Sequence, residues 1–165
     1  MFLNFPVMRI ILVIMFVGAS FRVWAQEDRD TVLSRCPVFI TDTATANNFF
    51  IESRPATLKV YRVRGDLTIS IEQKEQFLTL FFRDKRLKNT KYKIFVNPEG
   101  GSELAAKYSF RSGDQVSYVN VSSGTVESSF DKEKKLWHLK INGMIANLVE
   151  RSLTYYKVRA ELNIK

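Results

Sequence analysis

The chain has 165 residues, a length typical of one domain, and its 25 Lys and Arg outnumber its 17 Asp and Glu for a formal net charge of +8. Hydrophobic residues make up 45% of the chain and charged residues 25%, a composition that excludes a disordered protein. The 13 Phe and 6 Tyr are residue types that favour strands and fill cores. The composition therefore indicates a globular domain rich in β-structure.

Residues 1–25 have the features of a secretory signal peptide. Arg9 supplies the positive start, Ile10 to Ala19 form a nearly continuous apolar stretch, and Val23 and Ala25 precede a cut before Gln26 with the spacing that signal peptidase accepts. The apolar stretch is shorter than the about 20 residues that a membrane-spanning helix needs. An uncleaved anchor, favoured by Arg22, and a buried N-terminal helix are the alternatives. We expect export to the periplasm or the cell exterior.

Cys36 is the only cysteine, and three interpretations of it are open. A lipid anchor requires small residues directly before the cysteine, but Arg35 occupies that position and a charged segment, residues 27–30, separates Cys36 from the apolar stretch. A disulfide within one chain needs a second cysteine, so only a bridge between two chains is available. The third interpretation, a small buried side chain, fits the apolar residues that follow. We expect a buried thiol and a fold that depends on its core.

Alternation of apolar and polar residues dominates the chain after a polar lead-in and first strand region at 26–56. Residues 66–72, 92–96 and 137–141 each place apolar side chains on one face, as half-buried strands do. The pattern is clearest from 154 to 164, where a slip of one residue would drive charges into the core. Residues 75–82 are apolar on both faces, which predicts a strand covered on both sides. The β-domain is therefore expected to span 57–165.

Three segments decide the details of the fold. Residues 102–110 and 141–153 fit a helix and a strand about equally, and Ser122 to Gly124 have the composition of a turn between two strands. Short loops between the strands exclude parallel crossovers, which need a dozen or more residues. The sequence predicts an all-β fold of about seven to nine strands, an antiparallel β-sandwich or small β-barrel with little helix outside the signal segment.

Few residues are suited to catalysis. His138 is the only histidine, which excludes a zinc site with two His ligands in one chain, and it alternates against Trp137 and Leu139 as a solvent-facing residue does. A dyad of Cys36 and His138 is conceivable, but nothing else in the sequence supports it. No nucleophile, phosphate-binding or metal motif is recognisable. We expect no cofactor, no metal and no enzymatic activity.

Basic residues cluster between the predicted strands at 75–82 and 92–96. Such a cluster attracts acidic glycans, lipid headgroups or an acidic protein partner, and an exported protein meets nucleic acid rarely. The alternative is a solvated hairpin whose lysines discourage edge-to-edge pairing. We call this cluster the basic patch; its residues are Arg83, Lys85, Arg86, Lys88, Lys91 and Lys93.

Three functional hypotheses follow, of which a non-catalytic binding or interaction module is the first. A small outer-membrane barrel of eight strands is the second, although most predicted strands are shorter than such barrels use. An uncharacterised enzyme is the third. A binding module of this kind would associate with a membrane only through an uncleaved leader or a lipid on Cys36. Asn120 begins an N-glycosylation sequon, which is relevant only in a eukaryotic source.

Overall fold

The computed structural model describes residues 29–48, 54–149 and 152–165, and these residues form strands and connections without a helix. The leader, residues 1–25, and the predicted cut before Gln26 lie outside the described residues. Ten strands follow one another along the chain: β1 Arg29–Leu33, β2 Val38–Asp42, β3 Ala56–Val63, β4 Asp66–Gln73, β5 Gln76–Phe82, β6 Thr90–Ile94, β7 Glu103–Ser112, β8 Gln115–Asp131, β9 Leu136–Val149 and β10 Ser152–Ile164.

The strands belong to one curled open sheet, a half-barrel, in the order β1-β3-β4-β5-β7-β6-β8-β9-β10-β2. The predicted all-β fold is confirmed, whereas the predicted strand count is too low, and the described residues form no second sheet that would make a sandwich with the first. The count was too low because β1 and β2 have only five residues each, too few for alternation to stand out in the sequence. The single sheet buries its apolar face by curling on itself.

The two edge strands of the sheet are close in sequence, since only residues 34–37 separate β1 from β2. β1 pairs with β3 from Arg29 opposite Val60 to Leu33 opposite Ala56. The bridge between Thr41 and Asn48 pairs β2 with the segment that directly follows it. The amide of Cys36 also donates to the carbonyl of Arg54 at 3.1 Å. The connection of four residues between β1 and β2 keeps the two edges of the half-barrel within a short distance of each other.

The inner, concave face of the sheet holds the hydrophobic core. Side chains on this face come from every second position of the strands, so the ladder places Ile69 beside Leu80 and Leu80 beside Ala106. Fully burying a side chain of this size contributes about 1.5–3 kcal/mol each. The rings of Phe82 and Tyr92 meet edge to face with centroids 5.1 Å apart. The largest fully buried side chains are Tyr92, Phe82, Ile40, Leu58, Ile69, Ile71, Leu78, Leu80, Leu104, Leu139 and Ile141.

Several local predictions are resolved or corrected. Both segments that fitted helix and strand equally are strands in the described residues, as parts of β7 and β9. The predicted turn at Ser122 to Gly124 is wrong, because β8 runs through it with a bulge between Val121 and Ser123. The exclusion of parallel pairing is also wrong. β6 lies parallel to β7 over two residue pairs, since the loop at 95–102 carries the chain back to the start of β7.

The sheet divides at one end into two hairpins. Pairing of β8 with β9 stops at Val121 opposite Ile145. Beyond that point the described residues of β8 pair only with β7, and those of β9 pair only with β10. The β7–β8 hairpin and the β9–β10 hairpin therefore form the two sides of a gap in the sheet that we call the fork.

Candidate functional site

The basic patch predicted from the sequence lies on one loop and one strand. Arg83, Lys85, Arg86 and Lys88 are exposed on the loop between β5 and β6, and Lys91 and Lys93 project from the outer face of β6. The loop is anchored by the Tyr92 hydroxyl, which accepts a hydrogen bond of 3.0 Å from the amide of Lys88. Burial raises the pKa of the Tyr92 phenol.

Ion pairs neutralise part of the basic patch. The Lys88 ammonium contacts the carboxylate of Asp84 at 2.9 Å, and the Lys91 ammonium contacts that of Glu127 at 2.8 Å. The hydrogen bond from Lys91 lowers the pKa of Glu127. In the described part of the chain, Arg83, Lys85, Arg86 and Lys93 form no ion pair. The unpaired part of the patch is thus smaller than the sequence suggests, and its cations are divided between the β5–β6 loop and β6.

One row of the outer face is a ladder of alternating charges. It runs across four strands, from Lys91 on β6 to Glu127 on β8, Lys140 on β9 and Glu161 on β10. The ladder ends with Lys140 at 3.7 Å from Glu161. Exposed pairs of this kind contribute little to stability but keep a sheet surface hydrated. The acids of this row are therefore already engaged by lysines.

The next row of the outer face carries cations without acids. It contains Lys93 on β6, Thr125 on β8, Asn142 on β9, Arg159 on β10 and Phe39 on β2. Neighbouring strands are about 4.8 Å apart, so the backbones at Lys93 and Arg159 are roughly 14 Å apart. This row combines two cationic side chains, two polar side chains and the ring of Phe39, which is 38% exposed.

Three depressions of the outer surface meet at Arg159. Their volumes are about 660, 320 and 260 Å³, and Arg159 lines each of them. Lys157 lines two, and Asn142 lines the two smaller ones. We call the combined feature the Arg159 trough; it is defined by Phe39, Thr41, Asn142, Lys157 and Arg159.

The charges around the Arg159 trough favour an anionic ligand. Within the described residues, neither Lys157 nor Arg159 has an ion-pair partner. The two carboxylates at its border are occupied: Asp42 accepts hydrogen bonds from the amides of Ala44 and Thr45 at 2.7 and 3.3 Å, and Glu161 faces Lys140. A guanidinium can bind a carboxylate or sulfate through two parallel hydrogen bonds. The exposed ring of Phe39 adds an apolar surface beside these donors.

The residues weighed for catalysis lie on separate elements. Cys36 is buried between β1 and β2, as expected, with 3% of its surface exposed. His138 is on the outer face of β9, where its Nδ1 lies 3.1 Å from Oδ1 of Asn163. No group of three His, Cys, Asp or Glu side chains gathers in the described ranges 29–48, 54–149 and 152–165.

Sequence reasoning placed Lys157 and Arg159 on the polar face of the last strand but did not single them out. The signal was present in the alternation from 154 to 164. What was missing was the neighbour, because β2 pairs with β10 across more than one hundred residues of chain, with Phe39 opposite Arg159 and Thr41 opposite Lys157. Only that register brings an aromatic ring and two cations together.

Comparisons of this chain with protein-family models, with curated proteins and with solved structures found no match. In the part of the chain that the structure describes, there is no helix with the length and apolar character to cross a membrane.

Proposed function

We propose that this protein is an exported, non-catalytic binding module that holds an acidic glycan in the Arg159 trough. The observation that carries the proposal is the meeting of three depressions at Arg159, which forms no ion pair with any acid among the described residues. An acidic glycan offers carboxylates or sulfates for Arg159 and Lys157, hydroxyls for Asn142 and Thr41, and an apolar sugar face for Phe39. Lys93, the other cation of the row, offers a further contact to a longer glycan chain.

The distribution of polarity favours this hypothesis over the outer-membrane barrel. Barrels of that kind present an apolar band outward and polar residues inward. Here the outer rows from β6 to β10 carry charged and polar side chains, and the buried apolar side chains lie on the inner face.

Export with cleavage before Gln26 is part of the proposal, and the position of Cys36 supports it. A lipoprotein begins at its modified cysteine, so a lipid on Cys36 would remove β1 from the sheet. Cleavage before Gln26 leaves β1 in place and leaves Cys36 buried.

The trough is tested by titration calorimetry, which measures the binding of a heparin hexasaccharide and of an oligogalacturonate to the purified protein. The double variant Lys157→Gln/Arg159→Gln removes two charge-assisted contacts, and we expect a loss of affinity of at least tenfold. The matched control Lys132→Gln/Lys135→Gln removes the same charge from the exposed β8–β9 turn and should change affinity less than twofold. Wild-type affinity should rise as the salt concentration falls.

The basic patch is tested in the same assay with Lys85→Gln/Arg86→Gln. Equal losses in all three double variants would assign binding to overall charge rather than to the trough and would overturn the proposal. Retained binding in Lys157→Gln/Arg159→Gln with a loss in the loop variant would move the site to the basic patch.

A further inference from the structure

Two adjoining cavities lie at the fork between the β7–β8 and β9–β10 hairpins, away from the Arg159 trough. The first has a volume of about 290 Å³ and an apolar lining that includes Ile40, Phe110, Val119 and Ile145. The second has a volume of about 570 Å³ and a polar lining that includes Lys74, Gln76 and Arg111. Tyr108 and Phe110 line both cavities. The two volumes thus adjoin, one apolar and one charged.

The apolar cavity exists because the sheet is interrupted there. Val119 on β8 and Asn147 on β9 both line it, but strand pairing between them has already ended at Val121 and Ile145. The side chains of a continuous ladder would lie closer and fill this space. The lining therefore comes from both sides of the fork and from Ile40 on β2. Mouths of curled sheets are common places for small-molecule sites, and the volume is near the lower end of such pockets.

Tyr108 marks the boundary between the apolar and the polar cavity. Its hydroxyl donates to Oε1 of Gln76 at 3.0 Å, so its polar end turns toward the polar cavity. Burial raises the pKa of this phenol, as expected where little water surrounds the ring. The ring of Phe110 is beside it, with centroids 6.1 Å apart. The two rings form a wall along which an aliphatic chain can pass.

The polar cavity has a net positive charge. Lys74 and Arg111 face one carboxylate, that of Glu75, and among the described residues neither cation is in an ion pair. The backbone fixes the position of Arg111, since its amide donates to the carbonyl of Glu75 at 2.8 Å. Two cations next to an apolar cavity complement a molecule with an anionic head and an apolar tail.

We propose that the fork binds a single-chain carboxylic amphiphile, with its carboxylate at Lys74 and Arg111 and its aliphatic tail between Phe110 and Val119. The tail replaces water against Ile145 and Tyr156, and the head stays at the polar mouth. This site is separate from the trough, so the two ligands should bind independently. Each methylene that enters the apolar cavity should raise affinity about fourfold until the cavity is full.

The experiment is calorimetric titration of the purified protein with butyrate, hexanoate, octanoate, decanoate and decanol. We expect affinity for the carboxylates to increase with chain length, and decanoate to bind at least tenfold more tightly than decanol. Val119→Trp fills the apolar cavity and should weaken decanoate binding at least tenfold. Val63→Trp, which adds the same ring on the outer face of β3, should leave it unchanged. If Val119→Trp does not fold, Phe110→Ala carries the same test, because Phe110 is part of the wall and partly exposed.

The head group is tested separately with Lys74→Gln/Arg111→Gln. We expect this variant to lose at least tenfold in affinity for decanoate while binding decanol as the wild type does. Equal decanoate binding by wild type and by the cavity variants, or no dependence on chain length, would overturn the site. Decanoate binding is also measured in the presence of saturating heparin hexasaccharide. If the hexasaccharide abolished decanoate binding, the two ligands would share one site, which would contradict the separation from the trough.

Discussion

Two glycines face each other at the bulge of β8, and their lack of a side chain determines how closely β8 and β9 approach. Gly124 pairs with Gly143 in the ladder and has a φ of +140°, a conformation that residues with a Cβ avoid. A Cβ at Gly124 would be 2.2 Å from the carbonyl oxygen of Asn142, a backbone atom that cannot rotate away. A Cβ at Gly143 would meet a side-chain atom instead, Cγ1 of Val121, at 2.6 Å.

We predict that Gly124→Ala destabilises the protein by about 3 kcal/mol or more, because backbone strain and a clash add together. Gly143→Ala should cost about 1–2 kcal/mol, since Val121 can change rotamer. Urea denaturation followed by circular dichroism measures both. The order of the two costs is the critical result, and a Gly143 variant less stable than the Gly124 variant would contradict it. Gly124→Ala should also weaken glycan binding in folded protein, because Asn142 belongs to the trough.

At the scale of the element, strands with long regular alternation were predictable and interrupted ones were not. The alternation from 154 to 164 placed Val158, Leu162 and Ile164 inward, and all three are buried in β10. Alternation alone could not distinguish a helix from a strand at 141–153, where Gly143 weakens both patterns. Long-range pairing with β8 and β10 settles this segment as a strand. A turn was predicted at Ser122 to Gly124, where the structure has a bulge, because polar residues and glycine suit turns and bulges equally.

The charge ladder between β6 and β8 makes a prediction about pH. Lys91 donates to Glu127, and this hydrogen bond, followed by the attraction of the charges, lowers the pKa of that carboxyl below its ordinary value of 4.5. A lowered folded pKa gives stability that is present above the unfolded value and is lost as pH falls through the folded value. Both side chains are exposed, so the melting temperature should hardly change.

We predict that the carboxyl carbon resonance of Glu127 shows a titration midpoint below pH 4.5 in the wild type, and that this midpoint rises in Lys91→Gln. Lys93→Gln is the matched control, because Lys93 projects from the same face of β6 but faces Thr125 rather than Glu127. High salt should reduce the difference between wild type and Lys91→Gln. If Glu127 titrated identically in the wild type and in Lys91→Gln, the contact between Lys91 and Glu127 would not persist in solution.

At the scale of the whole molecule, the half-barrel follows from a buried apolar face to which the described residues of β2 to β10 all contribute, while β1 adds only the half-buried Leu33 at one edge. Composition and alternation predicted an all-β protein, but closure and strand order depend on pairings between distant segments. The same limit applies to the functional surfaces. The basic patch is contiguous in sequence and was predictable, whereas the trough unites β2 with β9 and β10, and the cavities at the fork unite the β4–β5 turn and β7 with β9. No local pattern encodes these neighbours.

The position of β1 makes the start of the mature chain a question about the whole fold. Cleavage before Gln26 keeps the ladder from Arg29 to Leu33 on the edge of β3. A chain beginning at Cys36 would lose that ladder and the partial packing of Leu33 against the core. We predict that residues 26–165 unfold in one cooperative transition and that residues 36–165 are less stable by about 1–2 kcal/mol, the value for burying part of a leucine.

Intact-mass spectrometry of the protein from its native host, together with denaturation of the two chains, tests this prediction. The expected mass corresponds to a chain that begins at Gln26 and has an unmodified cysteine. That thiol should react slowly with an aromatic disulfide reagent until the protein unfolds, because Cys36 is buried in the native fold. A mass that begins at Cys36 and includes lipid would remove β1 from the native protein. The shorter chain would then have to be the stable one, with the edge of β3 exposed at a membrane surface.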